Sequence, residues 1–196
     1  MTNNKRILEI YKKTGALLSG HFILSSGLHS EIYLQSALVL SIPKYLKIIS
    51  NALSIEIKKV IDEELIDLIV SPAMGAVVIG SKIGEELNKK AIFLERVNKN
   101  FTLRRGFQIP KETRVLIIED VITTGKSSVE CIDCVESFGG KVLGLASIID
   151  RSEKELNLGV VTISLLKINA PTYSSNNLPK KLENIPIVKP GSRFLV

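Results

Sequence analysis

Glu119 and Asp120 stand side by side directly after the branched apolar run Val115, Leu116, Ile117 and Ile118. Val121 and Ile122 follow, then a cluster of small or hydroxylated residues: Thr123, Thr124, Gly125, Lys126, Ser127 and Ser128. The apolar run has the length and branching of a buried strand, and the acids are expected where that strand ends. Residues 128–138 read as a helix. A loop that opens a helix presents unpaired backbone N–H groups and the positive end of the helix dipole, a setting for phosphate. The paired carboxylates would repel a phosphate. They suit hydroxyl groups, a metal ion or a developing positive charge. A ligand that satisfies both halves carries a phosphate and a polyol, as a ribose phosphate does.

Two bland patterns compete for this segment. Gly125, Lys126 and Ser127 could close a P-loop, G-x-x-x-x-G-K-[ST], but its first glycine would fall on Asp120. An acid there would face a nucleotide triphosphate where a P-loop wraps bare backbone around it. An ordinary capped helix start accounts for one hydroxyl side chain, not for four beside a carboxylate pair. The segment 115–128 as a whole resembles the phosphoribosyl pyrophosphate (PRPP) signature of the type I phosphoribosyltransferases: an apolar strand, two acids, then a T-T-G-x-S type loop. That resemblance implies that Glu119, Asp120, Val121, Ile122, Thr123, Thr124, Gly125, Lys126 and Ser127 bind PRPP, with Glu119 and Asp120 also catalytic.

These residues need a scaffold, and the rest of the chain alternates strand and helix patterns. The spacing of Ile7, Leu8, Tyr11, Leu17 and Leu18 predicts a helix over 7–18. Residues 21–35 read as two short strands about a turn at Ser26 and Gly27. Pro43 suits a first helical turn, and Leu46, Ile49, Leu53 and Ile57 line one face of the helix after it. Residues 65–75 read as a buried strand entering a loop, 77–88 as a helix and 90–96 as a strand. The polar, basic stretch 97–111 is expected to be an exposed loop, in part a hairpin. Residues 141–151 and 159–168 read as strands, and 171–196, rich in Pro, Ser, Asn and Lys, as a loop-rich tail. Such alternation implies an α/β protein with a mainly parallel sheet covered on both faces, residues 1–196 forming a single domain. Ligands of such sheets bind beyond the carboxyl ends of the strands. Three chemically loaded segments fall at predicted strand ends: Ser71 to Gly75, the acid pair, and Asp150 with Arg151. Their convergence points to one site.

Further segments carry the resemblance from about residue 15 to residue 193. Residues 22–35 resemble the block that forms a small hood over the active site in orotate phosphoribosyltransferases, so 1–40 would include hood elements. Through the same resemblance, Ala73, Met74 and Gly75 would meet pyrophosphate through backbone amides. Arg151 would bind the orotate carboxylate, which suits its planar fork, and Thr123 would also contact orotate. The plain alternative for Arg151 is a surface ion pair with Glu153 or Glu155. Residues 95–106 hold Arg96, Lys99, Arg104 and Arg105, with Lys111 just beyond. They resemble the mobile catalytic loop that closes over pyrophosphate, in the family's homodimer often over the neighbour's site; a solvated basic loop is the alternative. Arg96 would bind PRPP and, with Lys99, take part in catalysis. The match is closest to a shorter-loop subgroup carrying LRRGF. Against the longer-loop type, Ser25 replaces a lysine, Met74, Gly75 and Ala76 replace Tyr-Lys-Gly, and Val97 replaces another lysine. The loop also holds no histidine, so Lys99 or Arg105 is expected to compensate. Residues 176–180 carry no cysteine pair, and no tail metal site or disulfide is expected.

Taken together, the resemblance implies transfer of phosphoribosyl from PRPP to orotate in pyrimidine synthesis. Mg²⁺ would be held mainly by substrate oxygens rather than by protein side chains. The alternatives are a phosphoribosyltransferase for another base and a non-catalytic PRPP-sensing regulator on the same fold. The hood block and Arg151 speak against the first. Strands after the first helix, in place of a DNA-binding helix pair, speak against the second.

The net charge of +6 suits small polyanionic substrates. Nucleic acid is not expected as a partner: aromatic residues make up only 5%, Trp is absent, and no basic stripe is interleaved with stacking residues. No apolar run reaches the length of a bilayer span, and the first residues lack the apolar core of a secretory signal. A cytoplasmic protein without a membrane partner is expected. Cys131 and Cys134 form one C-x-x-C, at most half a zinc site, and read as reduced structural cysteines. His21 and His29 are the only histidines. Both are expected at the surface or in a turn, His29 with the option of facing the ligand. No Ser/His/Asp nucleophile system is evident.

Overall fold

The structure is a computed structural model that describes residues 3–24 and 27–189. Ser25, Ser26 and residues 190–196, which include the lysine-to-serine departure and the family-like ending, lie outside the described residues.

The first helix, α1 (Asn3–Lys13), is shorter than its apolar spacing predicts. Gly15 takes φ +69°, a left-handed conformation open to glycine that ends a helix. Leu17 and Leu18 therefore start β1 (Leu17–Ile23), which pairs antiparallel with β2 (His29–Leu34). After α2 (Ser36–Leu40), α3 (Pro43–Lys58) begins at Pro43 as expected. The αβ alternation then runs β3 (Leu68–Pro72), α4 (Val77–Leu87), β4 (Lys90–Val97), β5 (Asn100–Thr102), β6 (Arg114–Ile122), α5 (Lys126–Ser137), β7 (Lys141–Asp150) and β8 (Val161–Lys167).

The main sheet has the order β5-β4-β3-β6-β7-β8, and only the β4–β5 hairpin pairs antiparallel. The expected mainly parallel α/β sheet is therefore present. Its apolar strands are buried on both faces. On β6, Leu116 and Ile118 enter the core shared with α1, α3 and α4, whereas Val115 and Ile117 enter the core shared with α5. All four are fully buried, each stabilising the fold by about 1.5–3 kcal/mol. A slip of one residue would exchange the faces and lose that burial, so the register of β6 is strongly specified. On the α4 side the helix lies close to the sheet: a Cβ on Gly80 would stand 1.9 Å from Ser71 Oγ.

The tail is more ordered than its composition predicts. It contains β9 (Thr172–Tyr173), α6 (Lys180–Glu183) and β10 (Ile187–Val188). These strands complete a second sheet, β10-β1-β2-β9, built around the residues expected to form the hood. Glu31 of β2 fastens the tail, accepting from Lys181 Nζ at 2.7 Å and from Tyr173 Oη at 3.0 Å. His21 and His29 are not at the surface: both are buried under the tail. With His21 Nδ1 donating to the Ile185 carbonyl at 3.3 Å, His21 Nε2 accepts from His29 Nδ1 at 2.6 Å. Mutual hydrogen bonding is what makes burial of two polar rings tolerable. Cys131 and Cys134 are free and buried, as expected. Among the described residues, no helix is long and apolar enough to cross a membrane.

Candidate active site

β6 does not stop before the acids; it runs through Glu119 and Asp120 to Ile122. Strand residues alternate faces, so the two neighbours in sequence part company in space. Glu119 shares the face of Val115 and Ile117 and points toward α5. It is 4% exposed and accepts a hydrogen bond from Ser128 Oγ at 3.3 Å. Asp120 shares the face of Leu116 and Ile118 and is only partly buried. There it meets the loop after β3: a Cβ on Gly75 would stand 2.7 Å from Asp120 Oδ2. Only a glycine allows the 73–75 backbone so near this carboxylate. Beside it, the Ala73–Met74 peptide is cis and the Met74 side chain is exposed.

Electrostatics separate the acids further. Burial, and then the charge of Asp120, push the Glu119 carboxyl up to about 8; the Ser128 hydrogen bond and the charge of Arg96 oppose that rise. Burial also raises Asp120, against hydrogen bonds from the Val121 amide and its own. Burial raises the phenols of Tyr11 and Tyr33 as well, and the Asp120 charge adds to both. Tyr33 belongs to β2, so the hood lies within electrostatic reach of Asp120.

The phosphate-loop candidates surround the start of α5. Gly125 takes φ +76° and precedes the helix; a Cβ there would stand 3.0 Å from Leu158 Cδ2 and 3.1 Å from Leu156 Cδ1. Thr123, Thr124 and Lys126 are exposed. The Lys126 amide donates to Thr124 Oγ1 at 3.4 Å. The helix opens at Lys126 rather than at Ser128, which puts Ser127 and Ser128 in its first turn, where amides lack intrahelical partners. Val121 packs against the α3–α4 core, and Ile122 is buried on the α5 side.

Arg151 follows β7, and its amide donates to the Ile122 carbonyl at 3.0 Å. Its side chain is not a surface ion pair. It is 5% exposed. Nη2 donates to Ser30 Oγ at 2.9 Å and to the Ala170 carbonyl at 3.3 Å, and Nη1 to the Ile32 carbonyl at 3.4 Å. Glu153 is engaged elsewhere, accepting from the Thr172 amide at 2.6 Å and its Oγ1 at 2.7 Å. Burial works against the charge of Arg151, with Glu153 opposing at longer range. A guanidinium held in the interior by neutral acceptors alone is a group prepared for an anion.

The basic stretch is, as expected, an exposed loop that is in part a hairpin: β4 and β5 pair over its first residues and 103–111 return without helix or strand. Arg104 Nη1 and Arg105 Nη2 pair with Glu95 at 3.3 and 2.6 Å. Lys99 takes φ +71° and makes no ion pair among the described residues. Arg96, at the end of β4, donates from Nη2 to Glu130 Oε2 at 2.5 Å and from Nη1 to the Lys99 carbonyl at 2.6 Å.

The family model for the phosphoribosyl transferase domain matches residues 37–179. An orotate phosphoribosyltransferase of Erythrobacter litoralis is 45% identical over 190 residues, 97% of this chain and 98% of that protein. One of Maricaulis maris is 42% identical and covers 100% of both chains. The chain belongs to the orotate phosphoribosyltransferase family. Its fold is also that of a solved orotate phosphoribosyltransferase from Aeropyrum pernix: TM-score 0.70 at 22% identity, covering 83% of this chain and 93% of that one. An adenine phosphoribosyltransferase from Rhodothermus marinus reaches 0.62 at 23% identity, covering 84% and 100%. The fold is thus common to enzymes named for different bases.

In this member of the orotate phosphoribosyltransferase family, the sequence pattern did not single out three contacts, Ser128 on Glu119, Ser30 on Arg151 and Glu130 on Arg96, or the electrostatic reach of Asp120 to Tyr33. Ser128 alone carried a signal, through its place in the hydroxyl cluster. Glu130 sits where an exposed helix carries a carboxylate anyway. Ser30 and Tyr33 depend on how the hood closes, which no local pattern encodes. Among the described residues, no group of three or more His, Cys, Asp or Glu side chains gathers to hold a metal ion. Asp120 presents a single carboxylate on its side of β6, Glu119 facing the other way, which fits an ion held mainly by other oxygens.

Proposed function

We propose that this chain transfers the phosphoribosyl group of PRPP to orotate, giving orotidine 5′-monophosphate and pyrophosphate in pyrimidine synthesis. The observation that carries the reading is the buried fork of Arg151, set on neutral acceptors one strand from the Asp120–Gly75 contact. An anion site and a sugar-phosphate site thus adjoin at one sheet edge, and the full-length family relatives favour orotate as the anion.

In this reading, residues 123–127 hold the 5′-phosphate with amides and hydroxyls, and the backbone of Ala73, Met74 and Gly75 meets the pyrophosphate. Asp120 accepts hydrogen bonds from the ribose hydroxyls, with Glu119 supporting from the opposite face. As the bond from C1 to pyrophosphate lengthens, the sugar gains oxocarbenium character. The fixed Asp120 carboxylate stabilises that charge more in the transition state than in the ground state. Arg151 takes the orotate carboxylate and Thr123 also contacts the base. Arg96 and Lys99 bring positive charge to the pyrophosphate, and the hairpin helps keep out water that would hydrolyse PRPP. A Mg²⁺ ion would be held mainly by PRPP oxygens, with Asp120 as the protein carboxylate at hand, and would neutralise charge at the leaving group.

A homodimer belongs to the proposal, supported by the exposed apolar side chains of Met74, within the pyrophosphate loop, and Val78, just after it. So do a cytoplasmic location and a single working domain, the latter supported by one core that joins α1 to β7 and β8. The test is incubation with Mg²⁺, PRPP and a panel of bases, following orotate absorbance and pyrophosphate release. Consumption of orotate alone is the expected result. Release with a purine in place of orotate, or PRPP binding with no base consumed, would overturn it.

A further inference from the structure

The guanidinium of Arg96 is held on three sides. Glu130, on α5, accepts from Nη2 at 2.5 Å, and the Lys99 carbonyl accepts from Nη1 at 2.6 Å. The Phe101 ring lies beneath, its centre 3.9 Å from Cζ. Phe101 is itself tied to α5, since Cys134 Sγ donates to its carbonyl at 3.4 Å. Arg96 is also near enough to Glu119 for its charge to act on that carboxyl. One side chain thus joins the hairpin root, α5 and the acid strand.

The neighbouring charges are distributed unevenly. Arg104 and Arg105 both spend their charge on Glu95. Glu130 is the carboxylate that Arg96 meets, and its other oxygen stands 4.0 Å from Lys126 Nζ in the phosphate-loop segment. Both side chains of the Arg96–Glu130 pair are about a third exposed, so their attraction adds little to stability. Its effect is geometric. An arginine at a strand end samples many rotamers, and a carboxylate on a rigid helix, a carbonyl and a ring face select one.

We infer that Glu130 is a positioning residue that holds Arg96 in the orientation used for phosphoribosyl transfer, at the pyrophosphate end of the site. This rests on the reading of Arg96 as a PRPP-binding group. Glu130 itself touches no substrate.

The experiment is steady-state kinetics of five full-length proteins: the parent, Glu130→Ala, Glu130→Gln, Arg96→Ala and the Arg96→Ala/Glu130→Ala double variant, each with its Tm. Misplacing a binding group by an ångström costs up to about a hundredfold. Glu130→Ala is therefore expected to lower kcat/KM for PRPP by about tenfold or more, leaving the KM for orotate and the Tm unchanged. Glu130→Gln keeps an acceptor oxygen for Nη2 and is expected to recover most of the loss. The double variant should match Arg96→Ala alone. The inference is overturned if Arg96→Ala impairs PRPP use while Glu130→Ala does not, or if Glu130→Ala costs as much without Arg96 as with it. Arg96→Ala at parental activity would sink the assignment of Arg96 first and this one with it.

Discussion

Glu119 ties the architecture to a measurable quantity. An unperturbed glutamate ionises near 4.5, and burial beside Asp120 pushes this one up to about 8. Between those values the folded chain keeps a proton that the unfolded chain has lost, so each rise in pH favours unfolding. The contribution of Glu119 to stability is complete below about pH 4.5, declines through the interval and is lost above about pH 8. At about 1.4 kcal/mol per unit, the interval of about 3.5 units amounts to about 5 kcal/mol. Glu119→Gln removes the titration while keeping an oxygen for Ser128. Urea unfolding of parent and variant, compared between about pH 5 and pH 8, should show the parent losing stability faster by about 1.4 kcal/mol per unit. Parallel profiles would refute the reasoning, because they would mean that Glu119 ionises in the fold as it does in the unfolded chain.

Other substitutions probe the parts of the site separately. Asp120→Asn should cut turnover by about a hundredfold or more with a much smaller change in phosphate affinity, measured by single-turnover kinetics and phosphate competition. Arg151→Lys keeps the charge but loses the fork. It should raise the KM for orotate about tenfold or more, since hydrogen bonds to charged groups contribute about 1.5–3 kcal/mol, and leave the KM for PRPP unchanged. Gly75→Ala would press a methyl group to 2.7 Å from Asp120 Oδ2; activity assays and circular dichroism should show turnover lost with the fold retained.

The main sheet was legible because its strands are apolar on both faces and its helices carry apolar residues at helical spacing. Both signals are local. The acid pair, the hydroxyl loop and Arg151 were legible as types. Their partition was not: Glu119 and Asp120 fall on opposite faces because β6 continues past the point where its apolar run ends. The end of α1 turned on Gly15, which the apolar spacing of Leu17 and Leu18 overrode. The tail misled for a different reason. β9 and β10 are two residues each, too short for any alternation, and they exist only because β2 and β1 present edges to pair with. His21 and His29 were misplaced likewise, since each is buried by virtue of the other.

The hood sheet draws its inner hairpin from residues 17–34 and its outer strands from residues 172–188, with His21 opposite Ile187 and Ser30 opposite Thr172. During synthesis the hairpin must wait, edges bare, while nearly the whole parallel sheet is made behind it. Ser30 and Ile32 reach Arg151 from the early segment and Ala170 from the late one. The contacts that hold the Arg151 side chain are therefore completed late in synthesis, after nearly the whole main sheet has been made. Proteolysis of the tail would strip β9 and β10 from the edges of β2 and β1 while leaving the main sheet standing.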